Sequence, residues 1–402
     1  MINLDEKYDI VVIGAGIVGI NVAIQLAQRK PELSVLVVEK EKNPGLHASG
    51  RNSGVIHAGF YYSPDSLKAK FCREGNEQLR NLCEKLSIPI RETGKVVVSQ
   101  HVSQVDRLEQ LFQRGLTNGV ELEIYEDKYL QKFEPLARSQ GGFIWSPNTA
   151  IADPKLLMTN LVKFATAVGV KFSYGCTPII MDDGIRLGQR KISYKHLVNS
   201  AGTQSIAIAN VFGVGTEYSL LPILGTYVYS NYERLPLKTL VYPLPDPINP
   251  FLGVHFTITT DGFVKIGPSA IPVFGHEQYS LMESPNYFEI IDSAKSISVM
   301  ALHHPSSTLK LILRELPKIF TSKLLKDAEK LIPSSKKGVK WEKKAGGIRP
   351  QLVNLSSGVL EQDFIVKSNL YQTHILNTIS PGWTSAIPFA EWITKTHILP
   401  KL

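Results

Sequence analysis

YDIVVIGAGIVGINVAIQLAQR (residues 8–29), followed by LSVLVVEK (33–40), decides the fold. The run from Tyr8 to Gly14 is short, apolar and β-branched, the composition of a strand covered on both faces of a parallel sheet. Ile17 to Arg29 has helical spacing, and the second apolar run ends on Glu39. Strand, glycine turn, helix and strand make a right-handed βαβ unit. Gly14, Gly16 and Gly19 carry the GxGxxG spacing between strand and helix. Gly14 permits the turn, Gly16 brings backbone close to a pyrophosphate, and Gly19 lets helix and strand pack tightly. The helix start then offers N–H groups to the phosphates. Glu39 is placed to accept from ribose hydroxyls, with Lys40 beside it, and such an acid disfavours a 2′-phosphate. These positions together predict a dinucleotide site.

Next along the chain, SGRNSGVIHAGFYY (49–62) has neither a helical nor a strand period. An NAD site normally runs on into another helix of the same sheet. A glycine-rich loop here suits backbone passing close to a longer cofactor, which favours FAD. A second GxGxxG is absent, which argues against paired FAD and NADPH domains. Ser49, Arg51, Asn52 and Ser53 are candidate donors to the cofactor, and Gly54 allows close approach. VNSAG (198–202) adds Ala201 and Gly202 as a later cofactor contact.

Further elements follow from local pattern. Residues 66–86 and 104–119 read as helices, 95–99 as a strand, 147–154 as a loop, 156–170 as a helix and 191–202 as a strand. From 221 to 272 the sequence alternates between Gly and Pro breaks, as an antiparallel sheet does. Helical spacing returns over 285–331, and THILN (373–377) is a last strand before a C-terminal helix. The expected class is α/β with α+β character: a Rossmann-like FAD-binding domain interleaved with an antiparallel-sheet substrate domain. Its FAD-binding part is discontinuous, 1–90 with 141–215 and 340–402. The substrate part is 91–140 and 216–339, with a basic helical segment at 285–339.

Composition narrows the setting. A chain of 402 residues with 43% hydrophobic content is long enough for two connected domains. No run of eighteen apolar residues suits a membrane-spanning helix. MINLDEKYDIVVIG passes directly into a strand without the pattern of a leader peptide, so a cytoplasmic protein is expected. Cys72, Cys83 and Cys176 form no CxxC pair, which fits a reducing compartment and no zinc site. The net charge of +8 is concentrated: residues 308–344 hold eleven Lys/Arg against four Asp/Glu. That surplus suits attraction to anionic lipid on the inner face of the cell membrane. No nucleic-acid module accompanies it.

The glycine fingerprint, SGRNSGVIHAGFYY, SLKAKFC (66–72), PFLGVHFTITTDGFVKIGPSA (250–270), GGIRPQL (346–352) and HILNTISPG (374–382) stand in one order. In that order they resemble the L-2-hydroxyglutarate dehydrogenase/oxidase family of FAD-dependent oxidoreductases, related to D-amino-acid and glycine oxidases. The resemblance implies bound FAD, oxidation of L-2-hydroxyglutarate to 2-oxoglutarate by hydride transfer to flavin N5, and onward transfer to quinone, oxygen or another acceptor. It makes His255 (in GVHF) and His57 candidates for the base. Arg349, in GGIRPQ beside Gly347, is the first candidate for a substrate carboxylate, since guanidinium binds carboxylate bidentately. Tyr61, Tyr62 and Lys68 are candidates for the distal carboxylate, with Lys68 equally suited to a solvated helix face. Gly347, Pro381, Gly382 and Thr384 are expected at the flavin, Thr384 as N-cap of the last helix. Trp383 and Pro388 depart from the family pattern of small residues in this turn. An amino-acid or glycerol-3-phosphate oxidoreductase on the same fold is the nearest rival, and a non-enzymatic flavoprotein a more distant one.

Overall fold

The computed structural model describes residues 5–246 and 251–402. Residues 1–4, at the start of the stretch MINLDEKYDIVVIG, and Pro250, first of the 250–270 stretch, lie outside the described residues. Strand Asp5–Ile13 runs in parallel with Val35–Val38 on one side and Arg190–Asn199 on the other. Lys171–Ser173 and Gln372–Asn377 extend this sheet, again in parallel. N-terminal, middle and C-terminal segments therefore share one layer. Helix Ile17–Arg29 covers it and packs against helices Pro154–Ala167 and Ala386–Ile393. All four residues of Val35–Val38 are buried, as an inner parallel strand requires.

The second layer is a mainly antiparallel sheet, nine-stranded among the described residues. Its longest strand, Tyr218–Asn231, pairs with Phe263–Gly267, Ile271–Pro272 and Glu342–Asn354. The sheet continues through His255–Ile258, Leu240–Pro243, Lys95–Val98, Phe143–Ser146 and Glu123–Tyr125. Helices Tyr287–His303, Pro305–Glu315 and Thr321–Glu329 fill the 285–331 region.

Three placements differ from the sequence reading. GGIRPQL lies in strand Glu342–Asn354 of this second sheet, although 340–402 is expected with the cofactor domain. Proline normally demotes a strand. Here Pro350 faces Pro222 across the ladder, and the ladder changes register between Gly225 and Tyr227. Phe143–Ser146 also joins the second sheet, through Lys95–Val98, rather than the layer expected for 141–215. Within the expected 147–154 loop, Ala150–Ala152 forms a strand too short for its period to show. It pairs with Val55–Ile56 and Ile90–Glu92.

That small sheet marks the seam between the two main cores. Ile56 packs with Ile10, Ile20, Val37 and Phe389 in one core, while Val55 and Phe60 pack with Val96, Phe143 and Phe256 in the other. Alternate residues of a strand point to opposite faces. The 49–62 stretch thus has no single period because it serves both cores.

Candidate active site

A cavity of about 840 Å³ lies along this seam, within the range of roughly 300–1,000 Å³ common for ligand sites. His57, Tyr242, His255, Arg349, Lys68 and Trp383 all line it.

His255 opens strand His255–Ile258. Its Nδ1 lies 2.9 Å from the Gly253 carbonyl oxygen. A carbonyl only accepts, so Nδ1 holds the ring proton and Nε2 keeps a lone pair. The Tyr242 ring stacks on it at 3.8 Å between centroids. Burial holds His255 well below the usual histidine range, and the charges of His57, Arg349 and Lys95 push the same way against the Gly253 bond. His57 is fixed by its backbone: its N–H donates to Thr384 Oγ1 at 3.1 Å, and Thr384 Oγ1 donates to the Val55 carbonyl at 3.2 Å. Burial pushes His57 down to about 3, with the Lys95 charge adding. Its Nδ1 is buried without a partner among the described residues. Both histidines are therefore uncharged at neutral pH.

Cations share the cavity with them. Arg349 donates to the Ser269 carbonyl at 3.3 Å, and its guanidinium lies 5.5 Å from the Phe251 ring centre. Lys68 is buried, 5% exposed, so the solvated-helix alternative fails. Burial lowers it to about 8, opposed by Asp363 and Cys72. Asp363 also accepts from the Leu67 and Lys68 amides at 2.8 and 3.0 Å, tying the start of helix Leu67–Lys85 to the cavity wall. Tyr61 and Tyr62 line the cavity. Tyr61 packs on Phe60 at 4.3 Å between rings, as an aromatic core residue would, yet its hydroxyl is buried without a partner.

The cofactor candidates divide into two groups. Arg51, Asn52, Ser53, Gly347, Pro381, Gly382 and Thr384 line the cavity. Gly14, Gly16, Gly19, Glu39 and Ser49 surround the start of the first helix instead. Gly14 has φ +102°, and a Cβ on Gly19 would fall 2.3 Å from both the Gly14 carbonyl oxygen and Ser200 Oγ. Glu39 accepts from the Ala15 amide at 2.8 Å, and Ser49 Oγ from the Ile17 amide at 2.9 Å. Lys40 is committed to Glu41 and Glu277, at 2.6 and 2.7 Å. Gly54 packs against the Ala152 carbonyl. Ala201 and Gly202 lie outside the cavity, and Ser200, between Asn199 and Ala201, makes the contact with the glycine turn. The last helix begins at Ala386 after Ser385, so Thr384 is not its N-cap. Pro388 falls in the first turn, where a missing N–H is harmless.

Sequence reading missed Lys95, Tyr242 and Lys265. Lys265 Nζ donates to the Ser53 carbonyl at 2.7 Å and so braces the 49–54 turn. Lys95 begins an apolar strand, where a lysine ordinarily reaches solvent. All four residues of Lys95–Val98 are buried, so neither face of the strand leads to solvent.

FAD fits these residues on two counts. The cavity is far larger than a five-carbon acid needs. It also presents buried polar atoms with no protein partner among the described residues, His57 Nδ1, Tyr61 Oη and Trp383 Nε1 among them. The 48–53 turn joins the first-helix start to the cavity, since Ser49 reaches Ile17 while Ala48, Arg51, Asn52 and Ser53 line the wall. A cofactor extending from dinucleotide turn to cavity would run beside it.

Comparison with known proteins agrees. The family model described as FAD dependent oxidoreductase matches residues 9–396. The mitochondrial L-2-hydroxyglutarate dehydrogenase of Caenorhabditis elegans is 34% identical over 412 residues, covering 98% of this chain and 93% of the relative. The L-2-hydroxyglutarate dehydrogenase of Indibacter alkaliphilus is 35% identical over 403 residues, covering 96% and 99%. Among solved structures, FAD-bound L-α-glycerophosphate oxidase from Mycoplasma pneumoniae aligns with a TM-score of 0.76 at 21% identity, covering 97% of this chain and 94% of that one. Glycine oxidase from Geobacillus kaustophilus aligns at 0.73 with 15% identity, covering 99% and 96%. The structural likenesses establish the fold, and the sequence relatives narrow it: the chain belongs to the L-2-hydroxyglutarate dehydrogenase family of FAD dependent oxidoreductases.

Proposed function

We propose that this chain oxidises L-2-hydroxyglutarate to 2-oxoglutarate. The observation that carries the reading is a cavity combining an uncharged histidine, its Nε2 without a hydrogen-bond partner among the described residues, with cations on separate elements, Arg349 and Lys68 among them. A 2-hydroxy diacid has one hydroxyl proton to surrender and two carboxylates to hold. Bound FAD supplies the two-electron acceptor. His255 Nε2 accepts the hydroxyl proton, which a neutral imidazole does at working pH. Arg349 holds one carboxylate with its planar donors, and Lys68, on helix Leu67–Lys85, the other. Trp383 and Tyr242 supply apolar surface that keeps water from the reacting carbon. Incubation with a dye acceptor and assay for 2-oxoglutarate tests the reading. Formation from L-2-hydroxyglutarate is expected, and turnover restricted to glycine, proline or glycerol 3-phosphate contradicts it.

A membrane surface is proposed as the setting in which electrons leave, with quinone as acceptor. Support comes from the exposed apolar side chains Phe288, Leu302, Leu309, Leu313 and Phe320 on and beside helices Tyr287–His303 and Pro305–Glu315. Exposed Lys310, Lys323 and Lys326 lie in the same stretch. Apolar groups with nearby lysines suit the interface of an anionic bilayer. Among the described residues no helix is long and apolar enough to cross a membrane. Co-sedimentation with acidic vesicles but not neutral ones is expected, and negligible binding to both contradicts this setting.

A further inference from the structure

Lys95 is 0% exposed, and among the described residues its Nζ has no hydrogen-bond partner. Three rings surround it instead: Phe60 at 4.5 Å, Tyr61 at 4.6 Å and Tyr242 at 5.0 Å from their centres. An isolated buried ammonium is costly, and aromatic faces recover only part of that cost. The placement is specific. Tyr242 has His255 stacked on it and also faces Lys95, and Tyr61 lines the cavity beside His57. The groups in electrostatic reach of this cluster are His57, Tyr61, Tyr62, Cys72, Lys68, Tyr242, His255 and Arg349. Carboxylates enter one step further out, Asp363 beside Lys68 and Glu315 beside Arg349, both on the wall of the same cavity.

We propose that Lys95 is a positioning residue for the histidine pair: its amine, held under the three rings with no anionic partner among the described residues, adds when protonated to the effect of burial in opposing charge on His57 and His255, so that His255 Nε2 remains a proton acceptor further into acid. The inference rests on the oxidation of a hydroxyl in this cavity. The electrostatics are consistent with it. Burial lowers Lys95 to about 7, opposed by Cys72, so the group gains and loses its proton near neutrality. When charged, it opposes a second positive charge on either histidine.

The test is NMR of the FAD-loaded enzyme with 15N-labelled histidine, read beside the pH dependence of kcat/KM. In the wild type the His57 and His255 signals should shift with a midpoint near pH 7 as Lys95 titrates, while both rings stay neutral and His255 keeps its proton on Nδ1. Lys95→Met should raise the histidine midpoints by about one pH unit, the scale of a nearby charge. The acid limb of kcat/KM should then move up, because the base is lost at higher pH. Lys95→Arg, always charged, should restore both. A folded Lys95→Met enzyme with unchanged histidine midpoints and acid limb overturns the proposal. Where the variants do not fold, the wild type decides: absence of the shift near pH 7, or protonation of His255 in the ordinary range near 6.5, overturns it. The NMR readout needs no turnover, so it separates this inference from the substrate assignment. Failure of L-2-hydroxyglutarate to turn over would remove the assignment and leave the histidine signals to judge Lys95.

Discussion

The Tyr242 ring stacks on His255 at 3.8 Å and 14°, while the His255 Nδ1 proton is taken by the Gly253 carbonyl at 2.9 Å. Ring plane and tautomer are thus both set by groups outside the reacting pair, and Nε2 is the nitrogen left to act. Replacing His255 by Asn should lower kcat by about 10²–10⁴, the usual contribution of a positioned base, without loss of FAD. Steady-state kinetics with the flavin-to-protein ratio checks this, and a drop of less than tenfold at full flavin content would assign the base elsewhere.

Arg349 should act mainly in binding. Hydrogen bonds to a charged group are worth about 1.5–3 kcal/mol, so Arg349→Leu should raise KM for the diacid by roughly 10–100-fold. Arg349→Lys should recover only part, because an ammonium lacks the planar fork. An unchanged KM in Arg349→Leu would show that the carboxylate sits elsewhere.

Lys68 gives binding a pH dependence. Its pKa is lowered to about 8 by burial, so the cation is present below that pH and is lost as pH rises through it. KM should therefore climb above pH 8 in the wild type. In Lys68→Met it should already be high at pH 7 and stay flat to pH 9.5. A wild-type KM that is flat across this window would remove Lys68 from the carboxylate site.

Gly19 tests the cofactor turn. An added Cβ meets the Gly14 carbonyl and Ser200 Oγ at 2.3 Å, and overpacking of this kind costs about 1–3 kcal/mol. Gly19→Ala should lower the melting temperature and yield protein depleted in flavin, measured by the ratio of visible to 280 nm absorbance. Full flavin content with an unchanged melt would contradict the close packing.

What is legible in the sequence follows the range over which each signal acts. Gly14, Gly16, Gly19 and Glu39 lie within one βαβ unit, where spacing alone dictates turn, helix start and strand end. Helix Ile17–Arg29 accordingly has the bounds its spacing predicts. Arg349 is legible by its setting, but its strand is not, because Pro350 masks a ladder that only the facing Pro222 explains. Lys68 can be read either way, since one lysine on an amphipathic helix does not reveal what covers it. Lys95 and Tyr242 stay hidden because their meeting joins strands Lys95–Val98 and Leu240–Pro243, which neighbour each other only in the folded sheet. The sequence marks Thr384 as a site residue but not what it does there, because its hydroxyl serves Val55 and His57 across the seam rather than the start of its own helix.

The central claim is that this cavity takes the hydroxyl of a five-carbon diacid. Anaerobic mixing of the FAD-loaded protein with L-2-hydroxyglutarate, followed through the visible flavin absorbance, tests it most directly. Bleaching with one 2-oxoglutarate formed per flavin is the predicted result, with no bleaching by glycine, proline or glycerol 3-phosphate. Bleaching by one of those three and none by L-2-hydroxyglutarate would contradict it.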